Sequence, residues 1–250
     1  ASVEDTKIFK DKKTKKGFEI TNPVIINNGT CMVYHTATKV VLEYKKEFKK
    51  FYDKYISNVK LIRYADDKMR EQFESCFPRV IKHFESEDGN FIILLDKTPE
   101  VLNLGVIAAS YARAGKKFPS RHAAWILNRL YNMATYMQFN DKVFNGFSLS
   151  NIWVSPEYHT ALLLNGWEYS TKIGEQMIGH KSLTLTDLES IKTIGRALFN
   201  DGEAKATEAF LDEGTDDVDT ITDWNNYGKA IKSDFGKRQF VVWEDVPYTK

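Results

Sequence analysis

The sequence predicts an α+β fold in two parts, a β-rich lobe over residues 17–97 that holds one helix and a mostly helical lobe over residues 98–250. Three observations carry this expectation. Short β-branched and aromatic runs fill Phe18 to Tyr44, an apolar helical period runs from Phe48 to Ile62, and longer helical patterns take over after Pro99.

Residues 1–16 read as a flexible basic arm, because over Lys7 to Lys16 the lysines 7, 10, 12, 13, 15 and 16 are accompanied only by Asp11 and by no apolar period. Phe18 to Ile20, Val24 to Ile26, Met32 to Tyr34 and Val40 to Tyr44 are strand-like runs parted by Asn27-Asn28-Gly29 and Thr36 to Thr38, which predicts an antiparallel meander. Phe48, Tyr52, Tyr55, Val59 and Ile62 then recur at i, i+4, i+7, i+11 and i+14, one face of an amphipathic helix. Val80 to Phe84 and Phe91 to Leu95 flank Glu87-Asp88-Gly89-Asn90, a hairpin whose glycine supplies positive φ. After the link Asp96 to Pro99, helices are expected over Val101 to Arg113, His122 to Phe139 and Leu185 to Asn200, the last entered through Thr184 or Thr186. Short strands at Phe147 to Val154 and Ala161 to Leu164 enclose the turn Ser155-Pro156-Glu157.

Composition excludes several function classes. With 42% hydrophobic and 28% charged residues the chain is neither disordered nor fibrous, and 35 Lys and Arg against 34 Asp and Glu leave a net charge of +1. No global field recruits nucleic acid or an anionic membrane, so a charged partner must read a local patch. Such a patch lies between Asp201 and Asp223, where nine acidic residues stand against Lys205 alone. Cys31 and Cys76 sit in no metal-ligand spacing and read as free thiols. The longest apolar runs are too short to span a bilayer and the N-terminus is too polar for a signal peptide, which predicts a cytoplasmic protein. Histidines 35, 83, 122, 159 and 180 are scattered, without the spacing of a helical metal site. Aromatic residues interleave with lysines over positions 48–55, but at helical spacing the rings read as core, which disfavours a nucleic-acid partner.

The stretch Phe144-Asn145-Gly146-Phe147-Ser148-Leu149-Ser150-Asn151-Ile152-Trp153-Val154, following a long helix, resembles the catalytic loop of the protein-kinase family. Leu162-Leu163-Leu164-Asn165-Gly166-Trp167 is similar to the family's metal-binding segment, and Thr186-Asp187-Leu188-Glu189-Ser190-Ile191 to the start of the buried helix whose Asp caps the catalytic-loop backbone. Trp125 to Leu130, Pro156 to His159, Gly166 to Tyr169, and the pattern from Tyr227-Gly228 through Phe240 to Pro247 resemble small kinase-like proteins of tailed phages. The resemblance spans most of residues 17–250 and implies a two-lobe protein-kinase-like fold.

Kinase chemistry needs a carboxylate at the acceptor hydroxyl, a metal-binding carboxylate, a strand Lys on the phosphates and a Gly-rich loop over them. By the resemblance, Gly146 stands where the family has its catalytic Asp, Phe144 where it has His, and Asn165 where it has the metal-binding Asp. The loop's amide is kept as Asn151. The phosphate-covering loop holds Gly29 alone, with Met32 where a close backbone approach needs Gly, and the strand Lys aligns with Glu43. Lys45 or Lys39, on the same alternating face, are substitutes for that Lys, with Glu47 or Asp53 as its pair. Asn151 reads equally as a residue satisfying its own hairpin and as a nucleotide contact, and Asp187 as a structural cap.

Two hypotheses follow. The first is a catalytically degenerate kinase-like protein, a pseudokinase that binds a protein partner, phage-encoded and acting in the host cytoplasm, with its cleft filled by Met32, Phe144, Phe147 and Trp167. Its basic residues 7–70 and acidic residues 201–223 form opposed poles for that partner. The second is an atypical phosphotransferase or nucleotidyl transferase that takes ATP with Mg²⁺, using Gly29, Lys45, Asn151 and Asn165 on the nucleotide and Asp187 or Glu168 near the metal.

Overall fold

The structure, a computed structural model, describes residues 4–179 and 187–249; His180, Thr184 and Thr186 lie outside the described residues. The chain divides into two compact units, one ending at Val101 and one spanning Leu102–Thr249.

In the N-terminal unit, β1 (Thr6–Lys10) and β2 (Gly17–Thr21) form an antiparallel hairpin. β3 (Val24–Asn27), β4 (Cys31–His35) and β5 (Lys39–Tyr44) follow, then α1 (Lys49–Lys60), α2 (Asp67–Phe73), β6 (Val80–Glu85) and β7 (Phe91–Asp96). Strands β3 to β7 make one antiparallel sheet in the order β3-β4-β5-β7-β6. Helix α1 lies on one face, where Tyr52 meets Tyr44 at 6.2 Å and Phe91 at 5.0 Å between ring centroids. On the other face Tyr34, Val41, Phe84, Ile92 and Leu94 pack with Phe9 and Ile20 of the hairpin. Both faces of β5 are therefore dry, and its last five residues are buried.

The basic segment differs from its expectation as a flexible arm, since residues 6–10 are a paired strand. Phe9 is 2% exposed and stacks on Phe18 at 5.3 Å. Lys7 lays its ammonium over the Tyr34 ring at 4.6 Å and donates to the Tyr34 hydroxyl at 2.9 Å. One buried ring and one lysine stem supply the inward contacts, leaving the remaining lysines in water.

The C-terminal unit begins with β8 (Leu102–Asn103) and α3 (Leu104–Arg113), capped by the Asn103 side chain, which accepts from the Val106 amide at 3.2 Å. It continues through α4 (Ser120–Phe139), β9 (Lys142–Val143), β10 (Ile152–Ser155), β11 (Thr160–Leu163), β12 (Thr171–Lys172), α5 (Asp187–Leu198), α6 (Lys205–Leu211) and α7 (Thr220–Phe235). Strands β11-β10-β8 form one small sheet and β12-β9 another. The last residues return along α3, where the Trp243 indole donates to the Tyr111 hydroxyl at 2.9 Å and the Tyr248 hydroxyl accepts from the Asn103 amide at 2.9 Å. Three members of the acidic cluster are used internally, and one of them, Asp219, caps α7 by accepting from the Thr222 amide at 2.7 Å. Asp223, 2% exposed, accepts from the Tyr131 hydroxyl at 2.9 Å and lies 3.6 Å from the Lys192 ammonium, while Asp201 accepts from the amide and hydroxyl of Ser120. No described helix is long and apolar enough to cross a membrane.

Candidate functional site

The loop Phe144–Asn151 is held by the helix that follows it. Asp187 of α5 accepts from the amide of Phe144 at 2.8 Å and from that of Asn145 at 2.7 Å, fixing Asn145 at φ 60°. The Asn145 side chain donates to the Tyr169 carbonyl at 3.0 Å, which ties the loop to the segment after β11. Burial pushes the Asp187 carboxyl up to about 6, against the opposing pull of those two amides.

Gly146 and Gly166 sit backbone to backbone. A Cβ on Gly146 would come within 2.6 Å of the Gly166 carbonyl oxygen and 2.7 Å of the Phe144 ring. A Cβ on Gly166, already at φ +95°, would come within 2.8 Å of the Asn151 amide nitrogen. The position aligned with the catalytic Asp thus holds no carboxylate and no volume for one.

The two amides turn inward. The Trp153 indole donates to Asn165 Oδ1 at 2.8 Å, Asn165 Nδ2 donates to Asn151 Oδ1 at 2.7 Å, and Asn151 Nδ2 donates to the Gly146 carbonyl at 2.9 Å. Asn165 is 0% exposed and Asn151 6%. Mg²⁺ keeps several waters in an octahedral shell and prefers carboxylate oxygens. A fully buried amide oxygen that accepts an indole N–H offers neither the charge nor the wet surroundings. Phe144 stacks on Trp167 at 4.9 Å and meets Phe147 at 5.0 Å, so rings pack around this loop, and Glu168, next to Trp167 in the chain, is 0% exposed. Among the described residues no group of three His, Cys, Asp or Glu stands ready to hold a metal ion.

The N-terminal residues chosen from the sequence are not brought together. Glu43, aligned with the strand Lys, sits on the sheet face opposite α1. There it accepts from the Tyr34 hydroxyl at 2.9 Å and from the Asn90 amide at 3.3 Å, with the Lys7 ammonium 3.5 Å away. A kinase strand Lys must meet a Glu of the helix after it. The face of β5 that meets α1 carries Tyr44, one position on from Glu43, packed on Tyr52. Lys45 is exposed beyond the end of β5, Lys39 pairs with Asp96 at 3.0 Å, and Asp53 with Lys49 at 2.9 Å, so the substitute pairing with Asp53 does not form. Gly29, at φ +90°, turns the tight β3–β4 hairpin, whose own side chains take its amides: Asn27 accepts from Gly29 and Asn28 from Cys31, each at 3.0 Å. Met32 packs on the hairpin-covered cluster of the N-terminal unit, and Phe144, Phe147 and Trp167 pack together within the C-terminal unit.

A second constellation joins α4, the β10–β11 turn and the C-terminal stretch through stacked rings. Trp125 stacks on His159 at 4.5 Å, His159 on Phe240 at 3.9 Å, and His122 on Trp243 at 4.6 Å, while Arg129 donates to the His159 carbonyl at 2.9 Å. The spacing of Arg121, Trp125 and Arg129, four residues apart on one helix, is the signal that marks this face in the sequence.

No family model and no curated protein matches this sequence. Among solved structures the chain is similar to the BubR1 kinase domain, with a TM-score of 0.58 and 7% identity over 86% of this chain and 82% of that one. It is also similar to vaccinia related kinase 3, with a TM-score of 0.51 and 11% identity over 90% of this chain and 75% of that one. Likeness at such identity carries the architecture alone. The chain has a protein-kinase-like fold, a β-sheet N-terminal part followed by a helical C-terminal part.

Proposed function

We propose that this chain is a catalytically degenerate kinase-like protein that acts by binding a protein partner rather than by transferring phosphate. The observation that carries the reading is the closed hydrogen-bond chain from Trp153 through Asn165 and Asn151 to Gly146. It fills the place where phosphoryl transfer requires a metal-binding carboxylate and a substrate-orienting Asp. Tyr44 in place of a lysine on the α1 face and the side-chain-capped β3–β4 turn support the same conclusion. Binding as the mode of action rests on the uneven charge of the surface, basic over residues 7–70 and acidic over residues 201–223. The phage origin and host-cytoplasmic setting implied by the sequence resemblance belong to this proposal.

Melting temperature is the test, measured with millimolar ATP in EDTA and again in Mg²⁺. A ligand at a hundred times its dissociation constant adds about 2.7 kcal/mol, a rise of about 5 to 11 °C for a chain of this size. The reading expects no increment that depends on Mg²⁺. A Mg²⁺-dependent rise lost in Asn151→Ala would replace it with the atypical transferase.

A further inference from the structure

Segments far apart in sequence wall a cavity of about 570 Å³ within the C-terminal unit: helices α4 and α7, the β10–β11 turn, and the stretch Gly236–Val241. That volume lies within the range of small-molecule sites, about 300 to 1,000 Å³. Arg121 and Arg129 of α4, Lys232 of α7, and Lys237 and Arg238 of the closing stretch line it, with no Asp or Glu among the lining residues. In a chain whose acidic and basic residues balance, five cations without a carboxylate are a concentrated local field. None of the five forms an ion pair with a described residue. Arg129 uses its Nε on the His159 carbonyl, which orients the guanidinium and leaves its terminal N–H groups for a ligand.

The apolar side is a stack of rings. Trp125, His159 and Phe240 lie nearly parallel, at interplanar angles of 6° and 19°, and the stack ends at Phe240, which is 64% exposed; Tyr158 beside it is 61% exposed. A planar group can extend the stack while its anionic substituent meets the cations. Burial, with His159 beside it, holds the His122 imidazole down at about 4, so the imidazole is neutral and the field is that of Arg and Lys.

We propose that this cavity binds a phosphate-bearing small molecule with a planar ring, of the size of a nucleoside monophosphate. Four converging segments suit a small ligand better than an extended chain, and the combination of five cations with an open ring stack suits a phosphate joined to a ring.

The test is a titration of the full chain with AMP in EDTA, followed by tryptophan fluorescence and calorimetry. Inorganic phosphate, adenosine and a Glu-rich peptide are the comparison ligands. Lys232 and Arg238 are exposed, so the double variant K232Q/R238Q keeps the fold. Expected are metal-independent AMP binding that weakens with salt, at least about tenfold weaker binding of adenosine and of phosphate, and a loss of about tenfold or more for AMP in the double variant at unchanged melting temperature. The proposal is overturned if millimolar AMP does not bind, if AMP binds the double variant equally well, or if the Glu-rich peptide binds where AMP does not. These outcomes are distinct from the Mg²⁺-dependent ATP response that bears on the Gly146 loop.

Discussion

Two polar regions of the C-terminal unit use their polar groups in opposite ways. Around Gly146, Asn151 and Asn165, amides and backbone are bonded to one another and buried. Around the cavity between α4 and α7, five cations have no carboxylate beside them. Groups satisfied internally contribute to stability, so replacing them destabilises the protein. Exposed charges without an ion-pair partner contribute little to stability, so replacing them alters what the surface attracts. The contrast places the Phe144–Asn151 loop in the scaffold and the available binding chemistry elsewhere.

The harshest way to break the comparison is to put a carboxylate at Gly146. Gly146→Asp puts a Cβ against the Gly166 carbonyl and a charge beside the Phe144 ring. It is expected to destabilise by about 5 kcal/mol and to yield no phosphoryl transfer, read by denaturant midpoint and an ATP-turnover assay. Asp187→Ala leaves two loop amides without their acceptor and is expected to lose about 3 kcal/mol.

The same variant carries a pH signature. Burial raises the folded carboxyl from 3.8 to about 6, so the folded state keeps its proton while the unfolded chain releases it. The stabilisation from this group is therefore full below about pH 4 and declines as pH rises towards 6. The stability gap between wild type and Asp187→Ala should be widest below about pH 4 and narrow as pH rises; a gap that widens instead would contradict the assignment.

Asn165→Asp is milder. It replaces the donor to Asn151 Oδ1 with an oxygen, at a cost of about 2 kcal/mol that lessens at acidic pH, where the protonated carboxyl donates again. Thermal melts over a pH series would show it. The smallest effect is reserved for the other region, where K232Q/R238Q should change stability by no more than about 0.5 kcal/mol.

Much of the fold was legible because its elements advertise themselves. Alternating runs gave β3 to β5, the Asp88-Gly89 turn gave the β6–β7 hairpin, and the Tyr52 and Tyr55 spacing gave α1. Strand β1 was hidden because Phe9 is its one fully inward apolar residue and a lysine stem covers the rest. The register of Glu43 was illegible for a different reason. β5 is covered by α1 on one face and by the β1–β2 hairpin on the other, so alternation cannot tell which face meets the helix. The departures at Gly146 and Asn165 could be read position by position. Their inward hydrogen bonds could not, because amide direction depends on Trp153 and Gly166, whose proximity only the folded chain supplies.

The most direct measurement of the central claim follows the Trp153 indole proton and the Asn165 side-chain amide by NMR while ATP and Mg²⁺ are added. The closed network predicts slow hydrogen exchange for both and resonances that do not move. Rapid exchange, or shifts at these two groups that require Mg²⁺, would show that the Asn151–Asn165 pair opens to a metal-bound nucleotide and would contradict the account.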